Sequence, residues 1–146
     1  MAEIVAVCMS AHKGEAKKAV AEAELRAAHG LVGDAHAGDW HRQVSLLAEE
    51  KIDEMRRLGL ELEPGAFGEN LIVRGADLSG LRIGDRLRVG EAELEVTQLG
   101  KECHDHCAIF QQVGRCIMPT DGIFTRVLAG GRVQAGDPVE IERLPG

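Results

Sequence analysis

The chain has no tyrosine, one tryptophan and three phenylalanines among 146 residues. Its core must therefore rest on leucine, valine, isoleucine and alanine, and a surface that stacks nucleobases on aromatic rings is argued against. Basic residues are also scarce: 17 Lys and Arg against 24 Asp and Glu leave a formal charge of −7. That balance disfavours a generic binder of nucleic-acid backbones, although a small anion can still sit in a local basic pocket. No apolar run approaches the roughly 20 residues of a membrane span. The N-terminus, Met1-Ala2-Glu3-Ile4-Val5-Ala6-Val7-Cys8, carries an acid and no basic stretch, so it reads as a first strand rather than a signal peptide. These absences imply a cytoplasmic protein without nucleic-acid or membrane partners. In that compartment the four cysteines are better read as thiols or ligands than as two disulfides.

What is present is glycine. Eighteen glycines separate short apolar segments at 4–9, 43–47, 69–73, 86–89, 92–98, 123–128 and 138–142. Such spacing predicts many short strands joined by tight turns, a mostly β fold of barrel or sandwich type, in one domain spanning 1–146. Leu87-Arg88-Val89 and Ala92-Glu93-Leu94-Glu95-Val96 flank Gly90-Glu91 as a hairpin. One helix is expected over 48–58, with Ile52, Met55 and Leu58 on one stripe and Gly59 closing it; a second short one is expected over 108–113. Residues 15–29 fit either a helix, by propensity, or a strand, through the alternation of Val20, Glu22, Glu24 and Arg26.

Chemistry concentrates in four places. Lys101-Glu102-Cys103-His104-Asp105-His106-Cys107, followed by Cys116, puts three of the four cysteines and two of the six histidines within fourteen residues. Lys101, His104 and His106 favour Cys103 as thiolate, the reactive form. The C-x₃-C-x₈-C spacing with two histidines also offers enough donors for a tetrahedral metal site, in which Cys107 and Cys116 join Cys103. Cys8, in a strand, reads as a buried small hydrophobe. In Gly33-Asp34-Ala35-His36-Ala37-Gly38, the Asp34–His36 pair faces one way if extended and can orient a ligand or move a proton; alternatively Asp34 caps a turn. Arg42 is either a clamp for phosphate or carboxylate or a solvated strand-start charge. Pro64-Gly65-Ala66-Phe67-Gly68-Glu69-Asn70 offers Glu69 or Asn70 to a ligand, unless it is a structural turn.

Five motifs in order resemble the MOSC domain, the family named for the C-terminal part of molybdenum-cofactor sulfurase. They are 33–38, Arg42-Gln43-Val44-Ser45-Leu46, 64–71, Leu81-Arg82-Ile83-Gly84-Asp85-Arg86-Leu87, and Leu94-Glu95-Val96-Thr97-Gln98 leading to Cys103. The segment from Lys101 to Phe124 looks like small stand-alone bacterial members. The resemblance implies a MOSC-type β-barrel and a role in sulfur or molybdenum-cofactor chemistry. It implies Cys103 as sulfur carrier or molybdenum ligand, with Cys116 as a rival because Arg115-Cys116 is similar to a pair in amidoxime-reducing relatives.

On this reading Cys103, Lys101, His36 and Asp34 act on the transferred sulfur. Gly33, Arg42, Phe67, Gly68, Glu69, Asn70 and Cys116 surround molybdopterin. The implied partners are a cysteine desulfurase or molybdopterin-biosynthesis enzyme as donor and a molybdoenzyme as acceptor. The chain has no pyridoxal-phosphate desulfurase domain, so no pyridoxal phosphate is expected. Two alternatives stand beside it: a non-catalytic Cys/His metal-binding or redox-switch module serving a cofactor-inserting enzyme, and a small reductase of N-hydroxylated compounds.

Overall fold

The structure, a computed structural model, describes residues 2–12, 16–59, 61–100 and 122–143. The strands are β1 (Glu3–Met9), β2 (Lys18–Val20), β3 (Glu22–Arg26), β4 (Gly30–Leu31), β5 (Val44–Ala48), β6 (Leu71–Arg74), β7 (Arg86–Val89), β8 (Ala92–Leu99), β9 (Ile123–Ala129), β10 (Gly131–Gln134) and β11 (Val139–Glu142), with one α-helix, α1 (Glu49–Arg56). Eight of them make one mixed sheet in the order β11-β7-β8-β9-β5-β6-β1-β2, and three make a second in the order β10-β3-β4.

The expected mostly β fold is present, while closure into a barrel is not confirmed: the described residues form these two sheets without a closed ring of strand ladders. The large sheet curls until β1 meets the start of β11, but only through a bridge between Glu3 and Pro138 and bonds such as Ile4 N to Asp137 O at 2.9 Å. Proline has no N–H to donate, and this limits a ladder there.

Strand periodicity sets the two faces of the large sheet. In β5, Val44 and Leu46 face a core shared with Leu71, Leu87, Leu94 and, from the small sheet, Leu25 and Val133. Leu47 turns the other way, onto Ile72, Phe124 and the helix residues Ile52 and Met55. β5 pairs parallel with β6 through the α1 crossover, so it is buried on both faces and reads as a largely apolar run interrupted by Ser45. Ile52 and Met55 are each almost fully buried, worth about 1.5–3 kcal/mol apiece by area. Leu58 leaves the expected stripe and is 52% exposed, because the helix has already ended at Arg56.

The hairpin forms as expected, with Val89 opposite Ala92 around Gly90. The ambiguous stretch resolves as strands β2 and β3, and β3 is held between β10 and β4. The second expected helix, 108–113, lies outside the described residues.

One glycine places the loop before β6 against the start of β2. Gly65 has φ +93°, and a β-carbon built on it would lie 2.1 Å from the carbonyl oxygen of Lys17. Lys17 N in turn donates to Gly65 O at 2.9 Å. Gly65→Ala is therefore expected to cost about 3 kcal/mol or more, strain plus clash, read as a lowered urea midpoint. A cost below about 1 kcal/mol would show that the loop does not seat there.

Candidate functional site

A buried lysine organises the site. Ser10 follows β1, Lys17 precedes β2, and Asp34 and His36 sit in turns after β4 held by Asp34 N to Leu31 O (3.1 Å) and Ala35 N to Ser10 O (2.8 Å). Lys17 Nζ donates to Asp34 Oδ1 at 2.7 Å and to Ser10 Oγ at 3.3 Å, and lies 2.9 Å from His36 Nδ1. The Lys17 and Asp34 side chains are 1% and 0% exposed. Asp34 also accepts the backbone amides of Ser10 and His36, each at 3.1 Å. Burial alone would push the Asp34 carboxyl up; the hydrogen bond from Lys17, the Ser10 amide and the charge of Lys17 outweigh it and hold the carboxyl below its ordinary range. Asp34 thus fills the turn-capping role and pairs with a charge as well.

Beside this pair runs a column of rings and charge. The His36 and Trp40 rings lie stacked at 11° with centroids 6.4 Å apart, and Trp40 Nε1 donates to His36 O at 2.7 Å. The Arg42 guanidinium carbon lies 4.6 Å from the Trp40 ring centroid and 5.7 Å from that of Phe124. Arg42 Nε is buried without a hydrogen-bond partner, the sole such side-chain nitrogen or oxygen among the described residues. A donor stripped of water and left unbonded costs about 1–3 kcal/mol, so it calls for an acceptor.

The column is tied to the end of β8. His41 Nε2 lies 2.8 Å from Gln98 Oε1, Thr97 Oγ1 donates to His41 O, and Gln98 Nε2 donates to Gly100 O at 2.8 Å. Gly100 N donates to Gly122 O at 2.7 Å, so both described flanks of the cysteine-bearing segment meet here. An open cavity of about 410 Å³ adjoins, lined by Asp39, Trp40, His41, Gln43 and Thr97 among others.

The remaining candidates fall elsewhere. Glu69 is fully buried and accepts the Gly65 and Phe67 amides at 3.0 and 2.9 Å. Burial pushes its carboxyl above the ordinary range despite those bonds. Asn70 Oδ1 accepts Ser45 N at 3.0 Å, and its amide donates to Cys8 O at 3.1 Å. Glu69 spends its carboxylate on backbone amides, as the structural-turn alternative has it, whereas Asn70 also accepts the Ser45 hydroxyl at 3.3 Å and hydrogen-bonds Asp34. Phe67 packs on the helix-side core, and Gly68 holds the turn through its amide to Gly65 O at 2.9 Å. Gly33 has φ +91° beside Met9. Cys8 is fully buried, and burial drives its thiol up to about 12.

Cys103, Lys101, Cys107 and Cys116 lie outside the described residues; among those described, no group of three His, Cys, Asp or Glu is placed to hold a metal. Among the described residues, no helix is long and apolar enough to cross a membrane. Reading the sequence missed Lys17 and Trp40. Trp40 had a signal, being the single tryptophan of the chain; Lys17 had none.

The fold and this cluster define a small β-sheet domain with a buried ionic pair and a cationic aromatic column at one set of strand ends. The profile of the MOSC domain matches residues 33–140, and the chain belongs to that family, which is associated with molybdenum-cofactor biology. Solved structures agree in fold. The YuaD protein of Bacillus subtilis superposes with a TM-score of 0.79 at 20% identity, covering 99% of this chain and 98% of its own. YiiM of Geobacillus stearothermophilus gives 0.70 at 20% identity over 97% and 75%. YiiM of Escherichia coli gives 0.64 at 27% identity over 100% and 72%. No curated protein matches the chain.

Proposed function

We propose that the protein carries sulfane sulfur for, or binds, the molybdenum cofactor, with Cys103 as the working thiol. The observation that carries this reading is the orphaned Arg42 Nε beside Trp40, at the strand ends that flank the cysteine segment. A cationic donor lacking an acceptor suits the phosphate of a pterin cofactor, and the indole supplies an aromatic wall; the residues present fit that group. Arg42 would hold the phosphate, and the turns at Gly33 and Gly68 would border the ligand. When bound, the cofactor would supply a thiophilic metal for a cysteine thiolate.

Sulfur loading needs no oxidant. The Cys103 thiolate attacks the terminal sulfur of a donor persulfide; a new S–S bond forms, the donor S–S bond breaks, and the donor cysteine leaves as thiolate. Lys101, two residues before Cys103, favours that thiolate. A reducing compartment such as the cytoplasm would keep this thiol free for the exchange.

The test incubates the protein with a cysteine desulfurase and cysteine and maps adducts by peptide mass spectrometry. One added sulfur is expected on Cys103, with none on Cys8, whose thiol is buried and protonated. Cyanide-releasable sulfur should vanish in Cys103→Ser. Retention of both that sulfur and cofactor binding in Cys103→Ser would refute the assignment. Stoichiometric zinc lost on replacing Cys103, Cys107 or Cys116 would instead support the metal-module alternative.

A further inference from the structure

We infer that the buried Lys17–Asp34 pair fixes His36 as the neutral imidazole bearing its proton on Nε2. The tautomer follows from counting protons. An ammonium has three N–H donors and no lone pair. Lys17 Nζ has three acceptors in reach: Asp34 Oδ1 at 2.7 Å, His36 Nδ1 at 2.9 Å and Ser10 Oγ at 3.3 Å. Ser10 Oγ sends its own proton to His12 O at 3.2 Å, which leaves its lone pairs for Lys17. A proton on Nδ1 would instead set N–H against N–H, so Nδ1 carries the lone pair and the proton sits on Nε2.

The rival arrangement is an Asp–His dyad, in which the carboxylate takes a proton from Nδ1 and readies Nε2 as a base. The distances oppose it. Asp34 Oδ2 is 4.0 Å from His36 Nδ1, beyond a hydrogen bond, and is occupied by the His36 amide at 3.1 Å. The lysine stands where the dyad would need the carboxylate. Lys17 is therefore a positioning residue: it is buried and acts through His36, whose side chain is 31% exposed. The stacked Trp40 ring fixes the imidazole plane. The tautomer rests on this geometry and not on the function proposed above.

The experiment is a long-range ¹H–¹⁵N spectrum of the histidine rings of the intact protein near neutral pH, without cofactor or sulfur donor. His36 is assigned by the signals lost in His36→Gln. A pyridine-type Nδ1 and a pyrrole-type Nε2 are expected. In Lys17→Met/Asp34→Asn, which removes the pair without leaving a lone charge, the tautomer ratio should move toward Nδ1–H roughly tenfold, the worth of one ordinary hydrogen bond. A wild-type Nδ1–H or imidazolium signature, or an unchanged ratio in a folded double variant, overturns the inference. Should the double variant not fold, the wild-type spectrum decides alone. Neither result depends on Cys103, so failure of sulfur transfer and failure of the tautomer assignment remain distinct.

Discussion

Replacing Lys17 with methionine is expected to lower folding stability by about 3–5 kcal/mol at neutral pH, the usual consequence of removing one partner of a buried ion pair. Methionine preserves an unbranched side chain of similar length, so little of the loss comes from packing. It comes from Asp34, whose side chain is 0% exposed and would keep only the Ser10 and His36 amides and the Asn70 side chain against its charge, and from the Ser10 and His36 acceptors that Lys17 served. The neutral pair Lys17→Met/Asp34→Asn should recover most of the deficit, because no charge remains to be desolvated. Urea unfolding of the three proteins measures both steps. A single-variant deficit below about 1 kcal/mol, or no recovery in the double variant, would show that the pair is not buried as described.

The same variant reverses a pH dependence. In the wild type the Asp34 carboxyl is held below its ordinary range, so its contribution is complete above the unfolded value of about 3.9 and is lost as pH falls through the lower folded value. Without Lys17, burial acts with less opposition and raises the carboxyl. A raised folded value reverses the sign: stability is then greatest below the unfolded value and falls as pH rises through the folded one. The difference between Lys17→Met and wild type should accordingly shrink on going from about pH 7 to about pH 5. The part recovered in this window is about 1.4 kcal/mol for each unit by which the folded value exceeds about 5. A difference that stays constant over this interval would mean that Asp34 remains ionised by another partner.

Most strands were legible because their cause is local. The glycine-bounded apolar segments are β1, β5 to β9 and β11, and the helix is placed by Ile52 and Met55. Residues 18–26 were undecidable alone: helix propensity favours one answer, and the alternation around Leu25 prevails because β10 and β4 pair with β3 on both sides. Closure into a barrel was not legible locally, since it depends on how β1 and β11 meet across the whole sheet. In the site, Asp34 and His36 were found as residues but not in their relation; turn hydrogen bonds place them, not the shared face of a strand. Lys17 was invisible because its burial needs two later loops, one bringing Asp34 and the other Gly65. The thiol cluster, the strongest signal in the sequence, lies outside the described residues.

Arg42→Met should separate ligand binding from folding. The guanidinium contributes a cation–π contact with Trp40, worth about 0.5–2 kcal/mol, and a buried unbonded Nε that costs about 1–3 kcal/mol. Methionine loses the first and relieves the second while keeping an apolar stem on the rings. The two nearly cancel, so folding stability should change by less than about 1 kcal/mol. Binding behaves differently. Two charge-assisted hydrogen bonds to a phosphate are worth about 1.5–3 kcal/mol each. At 1.4 kcal/mol per decade, losing them should weaken binding of isolated molybdopterin by about a hundredfold or more. Fluorescence titration of Trp40, the single tryptophan, reads the affinity directly, and urea unfolding of the same preparation reads the stability. Affinity within a factor of three of wild type, at unchanged stability, would leave the buried Nε without a ligand and remove the observation on which cofactor binding rests.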